Sequence, residues 1–348
     1  MELRECGRSG LRLPVLGLGC WEFGGGEYWG ERHEQSAVDA VVRRAFELGV
    51  TYFDTAEVYN DGRSEASLGE ALRGLPRGRV VIGTKVSPAH VQPDVLPRRC
   101  EDSLRRLGTD HIDLYMVHWP ITPRSIRHFD AHLDVCPSVD DAFAGLLRLR
   151  EQGKVRHVGV SNFGRTRLVE ASRLCPGLAA NELPYNLLSR GVEWDALAAC
   201  RELGVGAIGY MALLQGVLTD VFPTLDDVPA WQRRTRHFDA RKAAAARHGM
   251  PGEEDATRQA LSDLRSFCRE AGRTLAELAL GWCIASPDVA CTLVGSRSVA
   301  NLEANVRAVE RPLPTEIVAR LNAITGPLKQ RLGPSFDYHE SAENDRTR

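Results

Sequence analysis

The sequence predicts an α/β fold, a closed (β/α)8 TIM barrel. Strand-length apolar runs alternate along the chain with amphipathic helical stretches, and this alternation is typical of parallel sheets. Eight such runs suit one closed barrel, and 348 residues with 43% hydrophobic content support a single large core. The predicted strands are residues 16–20, 51–56, 80–85, 112–118, 155–161, 178–186, 205–213 and 291–295.

The connections between these strands have helical patterns. The clearest examples are residues 36–49, 95–108 and 138–153, where apolar side chains recur at helical spacing. The alternative fold is a doubly wound sheet, which usually carries a GxGxxG turn after its first strand. The chain contains no match to that pattern, so the barrel is the preferred prediction.

The chain is expected to form one domain over residues 1–328, with an N-terminal β-hairpin before the barrel. Three long loops, residues 20–35, 119–137 and 214–255, follow predicted strands. They would therefore lie at the C-terminal face, where barrels place their active sites. Residues 329–348 lack apolar periodicity, and we expect them to form a mobile tail.

The composition excludes several classes of protein. A formal net charge of −2 offers no basic surface for nucleic acid, and no apolar run approaches the roughly 20 residues that span a bilayer. The N-terminus lacks the apolar region of a signal peptide, which predicts a cytoplasmic location. Nine scattered cysteines without a CxxC pair favour reduced thiols over disulfides or zinc. We expect a small-molecule partner and no metal, while the oligomeric state stays open.

Four ionisable side chains lie at or just after the ends of successive predicted strands. Asp54 lies near the end of the second strand, Tyr59 follows on its loop, Lys85 ends the third strand, and His118 ends the fourth. Parallel barrel strands end on one rim, so these side chains should converge. A lysine that ends an apolar strand is costly to bury without a partner, and Asp54 is the obvious candidate.

This combination of side chains suits proton transfer to a carbonyl oxygen. A phenol titrates too high to be an efficient acid or base near neutrality, and an adjacent ammonium should lower its pKa. An aspartate keeps the lysine charged, and a histidine across the pocket can hydrogen-bond a substrate oxygen. Because no side chain supplies hydride, a nicotinamide or flavin cofactor is implied.

Seven sequence motifs resemble those of the aldo-keto reductase family, and the resemblance covers roughly residues 3–325. It is closer to the bacterial inositol/sugar-type and potassium-channel β-subunit branches than to the mammalian aldose reductases. The likeness implies a catalytic tetrad of Asp54, Tyr59, Lys85 and His118, and an NADPH/NADP+ cofactor extended across the barrel mouth. The motifs are GLGCWEFGGG (17–26), DTAEVYNDGRSE (54–65), GTKV (83–86), SLRRLGTDHIDLYMVHWP (103–120), GKVRHVGVSNF (153–163), PYNLLSR (184–190) and VGSRSVANLEANV (294–306).

The resemblance also assigns the cofactor contacts. Ser161 and Asn162 should hold the nicotinamide carboxamide, and Tyr210 should stack on the nicotinamide ring. Arg297 is the reason for preferring NADPH, because a guanidinium suits a terminal phosphate. The full predicted set is Gly19, Trp21, Ser161, Asn162, Glu182, Tyr210, Gly216, Leu218, Gly295, Ser296, Arg297, Asn301 and Asn305.

Three positions depart from the family pattern. Glu182 replaces a glutamine that binds the carboxamide, and an ionised glutamate can accept from the amide but cannot donate to it. Met211 replaces a serine, and LTDV at 218–221 lacks the lysine that reaches the pyrophosphate. A basic cluster at 233–236 is a candidate replacement, although charged loop residues are usually solvated.

Aromatic side chains on the rim loops suggest the substrate. Trp21, Tyr28, Trp29, Trp119 and His128 are the predicted substrate contacts. Aromatic faces suit either a sugar- or cyclitol-like compound or an aromatic aldehyde, and the polar residues Glu22, Arg124 and His128 favour the former. The predicted function is NADPH-dependent reduction of a ketone or aldehyde to an alcohol, with Tyr59 as the general acid. The alternatives are an alcohol or inositol dehydrogenase running in the oxidative direction and a cofactor-binding regulatory subunit with little turnover.

Overall fold

Eight parallel strands close into a barrel in a computed structural model that describes residues 1–26, 34–133 and 135–348. The barrel strands are β3 to β10, and β10 closes the ring by pairing with β3. Both the predicted barrel and the N-terminal hairpin are confirmed, and the doubly wound alternative is excluded. The strands are β1 (Leu3–Glu5), β2 (Arg12–Pro14), β3 (Leu16–Gly19), β4 (Tyr52–Asp54), β5 (Val81–Val86), β6 (Ile112–Val117), β7 (Val155–Ser161), β8 (Ala180–Pro184), β9 (Gly206–Tyr210) and β10 (Val289–Val294).

Helices surround the barrel, and α3 shows why they form. Its buried residues Leu96, Cys100, Leu104 and Leu107 recur at helical spacing on one face, and Gly108 ends the helix in a left-handed conformation. The helices are α1 (Gln35–Glu47), α2 (Arg63–Ala71), α3 (Leu96–Leu107), α4 (Pro123–Phe129), α5 (Val139–Glu151), α6 (Arg165–Leu174), α7 (Ala196–Leu203), α8 (Glu254–Ala271), α9 (Leu275–Ala285), α10 (Val299–Val309) and α11 (Thr315–Leu332). None of the described helices is long and apolar enough to cross a membrane.

The barrel interior follows the two-residue period of its strands. In β6, Leu114 and Met116 belong to the interior cluster, whereas Tyr115 and Val117 belong to the cluster beneath the helices. The interior is therefore filled by side chains, and a site can form only at the barrel ends.

The N-terminal hairpin covers the amino-terminal end of the barrel. Strands β1 and β2 pair antiparallel, and Cys6 and Leu13 join the interior cluster. The hairpin lies so close to β9 that position 206, the first residue of β9, must be glycine. A Cβ there would lie 2.3 Å from the Cys6 sulfur. With this end closed, the carboxyl ends of the strands form the open face.

The C-terminal segment after α11 lies against this open face, which differs from the mobile tail predicted from sequence. The predicted boundary at 328 falls inside α11, and Phe336 and Tyr338 are buried. The Arg346 guanidinium forms a bidentate pair with Asp337 at 2.7 and 2.8 Å, and both side chains are buried. Polar groups hold this segment, so it shows no apolar periodicity in the sequence.

Two further contacts fix the segment to loops at the carboxyl ends of the strands. The Thr347 carbonyl accepts a hydrogen bond from the Gly164 amide at 2.8 Å, after β7. The Arg346 guanidinium lies 3.9 Å from the centre of the Trp119 ring, after β6. The last residues of the chain therefore cover part of the barrel mouth.

We predict that Arg346→Met releases this segment, because it leaves Asp337 as an uncompensated buried charge at a cost of about 3–5 kcal/mol. Carboxypeptidase digestion followed by mass spectrometry should show much faster trimming of the C-terminus. Arg98→Met is the matched control, because the ion pair between Arg98 and Asp94 is exposed on both sides and lies outside this segment. Equal trimming rates for the two variants would contradict the role of the buried pair.

Candidate active site

The four predicted catalytic side chains meet at the carboxyl ends of the strands. Asp54 ends β4, Lys85 lies in β5, and His118 directly follows β6. Tyr59 begins a short 3-10 turn between β4 and α2. The next residue, Asn60, adopts a left-handed conformation and donates to the Trp21 carbonyl at 2.8 Å, which joins this turn to the loop after β3.

The Lys85 ammonium is the centre of the cluster. It is fully buried and lies 2.5 Å from an Asp54 carboxylate oxygen and 3.0 Å from the Thr55 carbonyl. It also lies 3.5 Å from the Tyr59 hydroxyl and 3.4 Å from a Glu182 carboxyl oxygen. The predicted Lys85–Asp54 pair is therefore present, and Glu182 from β8 is a second acidic neighbour.

The Tyr59 phenol has a raised pKa, which corrects the expectation that Lys85 would lower it. Burial is the main cause, and the negative charge of Asp54 adds to it. Lys85 opposes this rise but does not overcome it. The phenol therefore carries its proton around neutral pH, and the adjacent Lys85 ammonium is placed to stabilise the phenolate that loss of this proton would leave.

The His118 imidazole faces Tyr59 edge-on, with ring centres 5.5 Å apart. Burial lowers its pKa well below the usual value, and the Lys85 charge contributes. The ring is therefore neutral around neutral pH. Its Nδ1 is buried and has no hydrogen-bond partner among the described residues. A neutral imidazole beside the phenol can position a substrate oxygen by a hydrogen bond.

A groove of about 400 Å³ extends from this cluster along the ends of β3, β9 and β10. Asp54 and Tyr59 line one end of it, and Arg297 and Asn301 line the other. A larger cleft of about 960 Å³ lies between α2 and α3 but contains none of the four predicted catalytic residues. Eight of the predicted cofactor residues line the groove: Gly19, Trp21, Glu182, Tyr210, Gly216, Gly295, Arg297 and Asn301.

The other five predicted cofactor residues do not line the groove in this structure. Leu218 is buried in the hydrophobic core, so only its backbone is available for a contact at this position. Ser296 and Asn305 lie behind the groove, where the Asn305 amide donates to the Ser296 hydroxyl at 3.1 Å. Ser161 and Asn162 are also buried, and the Asn162 amide donates to the Ser161 hydroxyl at 3.0 Å.

Asn162 connects the groove to the catalytic cluster. It adopts a left-handed conformation with φ of 65°, which asparagine tolerates better than most residues. Its side chain accepts from the Tyr210 hydroxyl at 2.7 Å and donates to the His118 carbonyl at 3.1 Å. The orientation of Tyr210 in the groove is therefore coupled to the backbone that carries His118.

Sequence reasoning missed an ion pair at the far end of the groove. Glu22 is buried, and its carboxylate lies 3.5 Å from Nε of Arg297. Burial raises the pKa of Glu22 to about 7, and Arg297 opposes the rise. The two residues are 275 positions apart, so no local motif links them.

The predicted substrate contacts lie in different surroundings. Trp21 lines the groove 6.0 Å from the Tyr59 ring, whereas Trp119 is covered by Arg346. His128 accepts a hydrogen bond from Arg247 at 2.8 Å, and its pKa is lowered to about 4, mainly by burial. Tyr28 and Trp29 lie outside the described residues. In the part of the chain that the structure describes, no cluster of three or more His, Cys, Asp or Glu side chains could hold a metal ion.

The basic cluster at 233–236, which follows β9, does not as a whole take the place of the pyrophosphate-binding lysine that LTDV lacks. Arg236 is buried and donates to the Leu332 and Ser335 carbonyls at 2.7 and 2.5 Å. Arg233 donates to the Val228 carbonyl of its own loop. These two side chains hold the long loop and the C-terminal segment. Arg234 lies 5.7 Å from the Trp21 ring centre, near the groove.

A sequence profile of the aldo/keto reductase family matches residues 15–325. The chain belongs to this family. The match extends over all eight barrel strands and includes the catalytic cluster and the groove. The resemblance seen in the sequence motifs is therefore confirmed at the level of the family and its oxidoreductase class.

Known aldo-keto reductases resemble the chain over most of its length. An NADH-specific methylglyoxal reductase of Escherichia coli is 30% identical, covering 89% of this chain and 94% of the relative. An uncharacterized oxidoreductase of Bacillus subtilis, YrpG, is also 30% identical, covering 93% and 96%. The crystal structure of a Klebsiella pneumoniae aldo-keto reductase in complex with NADPH has a TM-score of 0.68 and 27% identity, and 99% of each chain is covered.

We predict that Lys85→Met destabilises this aldo-keto reductase by about 3–5 kcal/mol, because it leaves two buried carboxyl groups without their cation. Urea unfolding followed by circular dichroism measures the loss. Lys154→Met is the control: Lys154 pairs with Glu101 at the surface, and its removal should cost at most about 1 kcal/mol. A Lys85→Met protein as stable as the control would show that the ammonium is not needed to hold the cluster.

Proposed function

We propose that this protein reduces a ketone or aldehyde to an alcohol, with NADPH as the hydride donor and Tyr59 as the general acid. The observation that supports this proposal most directly is the position of the Tyr59 hydroxyl. It lies 3.5 Å from the Lys85 ammonium and beside the neutral His118, at one end of a groove of about 400 Å³ that Arg297 also lines.

Each member of the cluster has a defined task in this proposal. Tyr59 gives its proton to the carbonyl oxygen, and the Lys85 ammonium stabilises the phenolate that remains. Asp54 holds the ammonium in place through its short contact. His118 orients the carbonyl oxygen from the opposite wall of the pocket. Transfer of the proton in the reverse sense serves alcohol oxidation, so the same residues support both directions.

The groove fits a nicotinamide cofactor. Tyr210 lines the groove, and Glu182 lines its catalytic end with a buried carboxyl oxygen that has no partner among the described residues. Gly295 lets the backbone after β10 approach a ligand closely, and Arg297 supplies a positive charge at the far end. When bound, the cofactor supplies the hydride that the carbonyl carbon receives.

The preference between NADPH and NADH depends on the Glu22–Arg297 pair. Arg297 favours the extra phosphate of NADPH, whereas an ionised Glu22 competes for the same guanidinium and repels that phosphate. The relatives show both outcomes, since one structure holds NADPH and another relative is described as NADH-specific. We propose NADPH for this chain, with a preference that depends on the charge of Glu22.

The substrate pocket favours a small, polar carbonyl compound. The Trp21 ring forms one wall near Tyr59, and Phe129 lies 5.7 Å from the His118 ring. The C-terminal segment covers Trp119 and limits the space beyond His118. Small 2-oxoaldehydes and keto-sugars are therefore the first compounds to test, and the 30% identical methylglyoxal reductase supports the first of these classes.

We predict that Tyr59→Phe lowers kcat by at least about a hundredfold, because loss of the general acid removes that much catalysis. The Kd for NADPH should stay close to the wild-type value. Tyr115→Phe is the control, since Tyr115 is buried away from the groove and its hydroxyl has no partner among the described residues. A large loss of NADPH affinity in Tyr59→Phe would instead assign Tyr59 to cofactor binding.

We predict that the preference for NADPH over NADH falls as the pH rises through about 7, because Glu22 ionises there and pairs with Arg297. Fluorescence titrations with the two cofactors measure the ratio of their Kd values. Above about pH 7, where the extra phosphate of NADPH is a dianion because its second pKa is about 6, the ratio in Glu22→Gln should stay constant and should favour NADPH by about tenfold more than in the wild-type protein, equivalent to one pKa unit. A ratio that stays the same in both proteins would contradict a role for Glu22.

A further inference from the structure

Glu182 is a buried acidic residue beside the Lys85–Asp54 pair. It lies in β8 and is buried, and one carboxyl oxygen is 3.4 Å from the Lys85 ammonium. The other oxygen, Oε2, is buried and has no hydrogen-bond partner among the described residues. Glu182 also lines the groove at its catalytic end, so this buried carboxyl group lies close to any charge that a ligand brings there.

The charges around Glu182 do not balance when both acids are ionised. Lys85 contributes one positive charge, and Asp54 and Glu182 would contribute two negative charges at the same ammonium. A net buried negative charge is costly, so one carboxyl group should hold a proton. Asp54 is the better carboxylate, because Lys85 lies at 2.5 Å and the Tyr52 hydroxyl donates to it at 3.3 Å. The proton therefore belongs on Glu182.

The other titratable groups that face this cluster do not supply the missing charge. Tyr52 from β4, Tyr59 from the following turn, Tyr210 from β9 and Cys291 from β10 have pKa values raised by burial, so they are neutral around neutral pH. His118 across the pocket is neutral because burial lowers its pKa. Burial, followed by the Asp54 charge, likewise raises the pKa of Glu182 well above its usual value, against the opposing effect of Lys85.

We infer that Glu182 holds a proton that follows the redox state of the cofactor: it stays on the carboxyl group beside the reduced nicotinamide and leaves for solvent beside the oxidised one. This inference rests on the proposed function. The reduced ring is neutral and the oxidised ring carries one positive charge, while the phosphates are the same in both forms. The ring charge is therefore the difference that a buried carboxyl group at the catalytic end of the groove would sense.

The direction of the effect follows from electrostatics. A positive charge within a few ångströms favours the ionised carboxylate, by about one to three pKa units. Binding of NADP+ should therefore release a proton from Glu182, and NADP+ affinity should rise with pH. NADPH lacks the ring charge, so its affinity should not rise in the same way. The residue would make alkaline pH favour the oxidised cofactor, which a glutamine at this position cannot do.

The first test measures the Kd values of NADP+ and NADPH by fluorescence titration between about pH 6 and pH 9, where both cofactors can be compared. The ratio Kd(NADPH)/Kd(NADP+) should rise by up to about tenfold per pH unit, the limit for one linked proton. Glu22 titrates in the same range, but its effect on the shared phosphates cancels in this ratio. In E182Q, which keeps the shape of the side chain, the ratio should not change with pH.

The second test counts the proton directly in the wild-type protein. Calorimetric titrations with NADP+ are made in buffers of different ionisation enthalpy. At pH values where Glu182 is still protonated in the free protein, binding of NADP+ should release close to one proton per cofactor. Binding of NADPH should release fewer protons. A pH-dependent ratio that persists in E182Q, or no proton release by the wild-type protein, would overturn the inference while leaving the reductase proposal intact. Failure of both cofactors to bind would overturn the proposed function and this inference together.

Discussion

The site depends on one buried ammonium. Lys85 is fully buried at the carboxyl end of β5, and its position sets those of the side chains around it. An unpaired ammonium there would be very costly, so Asp54 must lie on the neighbouring strand. The register that pairs β4 with β5 places Asp54 within 2.5 Å of the ammonium, and the turn after β4 then presents Tyr59 on its solvent side. The geometry of the barrel therefore determines the chemistry of the phenol.

The pKa values of this cluster differ from the ordinary values of its side chains, and burial is the common reason. Burial raises the pKa of the Tyr59 phenol and lowers that of the His118 imidazole, so both side chains are neutral around neutral pH. In the proposed function, the phenol can donate its proton because the Lys85 ammonium beside it stabilises the phenolate. Burial also opposes the ionisation of Glu182, which we infer to hold the proton linked to the cofactor. Burial thus affects the proposed acid, the proposed orienting group and the carboxyl group inferred to hold this proton.

The sequence was most informative where local pattern determines structure. Each barrel strand is an apolar run, and Asp54, Lys85 and His118 lie at or next to strand ends, so their convergence could be predicted. The pKa of Tyr59 could not, because it depends on how completely the folded protein excludes water. The Glu22–Arg297 pair could not be predicted either, because it joins loops that are distant in the sequence. The C-terminal segment is held by the buried pair of Arg346 and Asp337, and a buried ion pair leaves no apolar periodicity in the sequence.

The central claim is that this groove binds a reduced nicotinamide cofactor and that the adjacent cluster uses it to reduce a carbonyl compound. The most direct measurement mixes purified protein with NADPH and then adds methylglyoxal or a keto-sugar, while the absorbance of the reduced cofactor is followed. The account predicts saturable quenching of tryptophan fluorescence by NADPH, then loss of cofactor absorbance with a rate that saturates in the carbonyl compound. Binding of NADPH without its oxidation by any small aldehyde or ketone would contradict the account and would favour a cofactor-binding protein with little turnover.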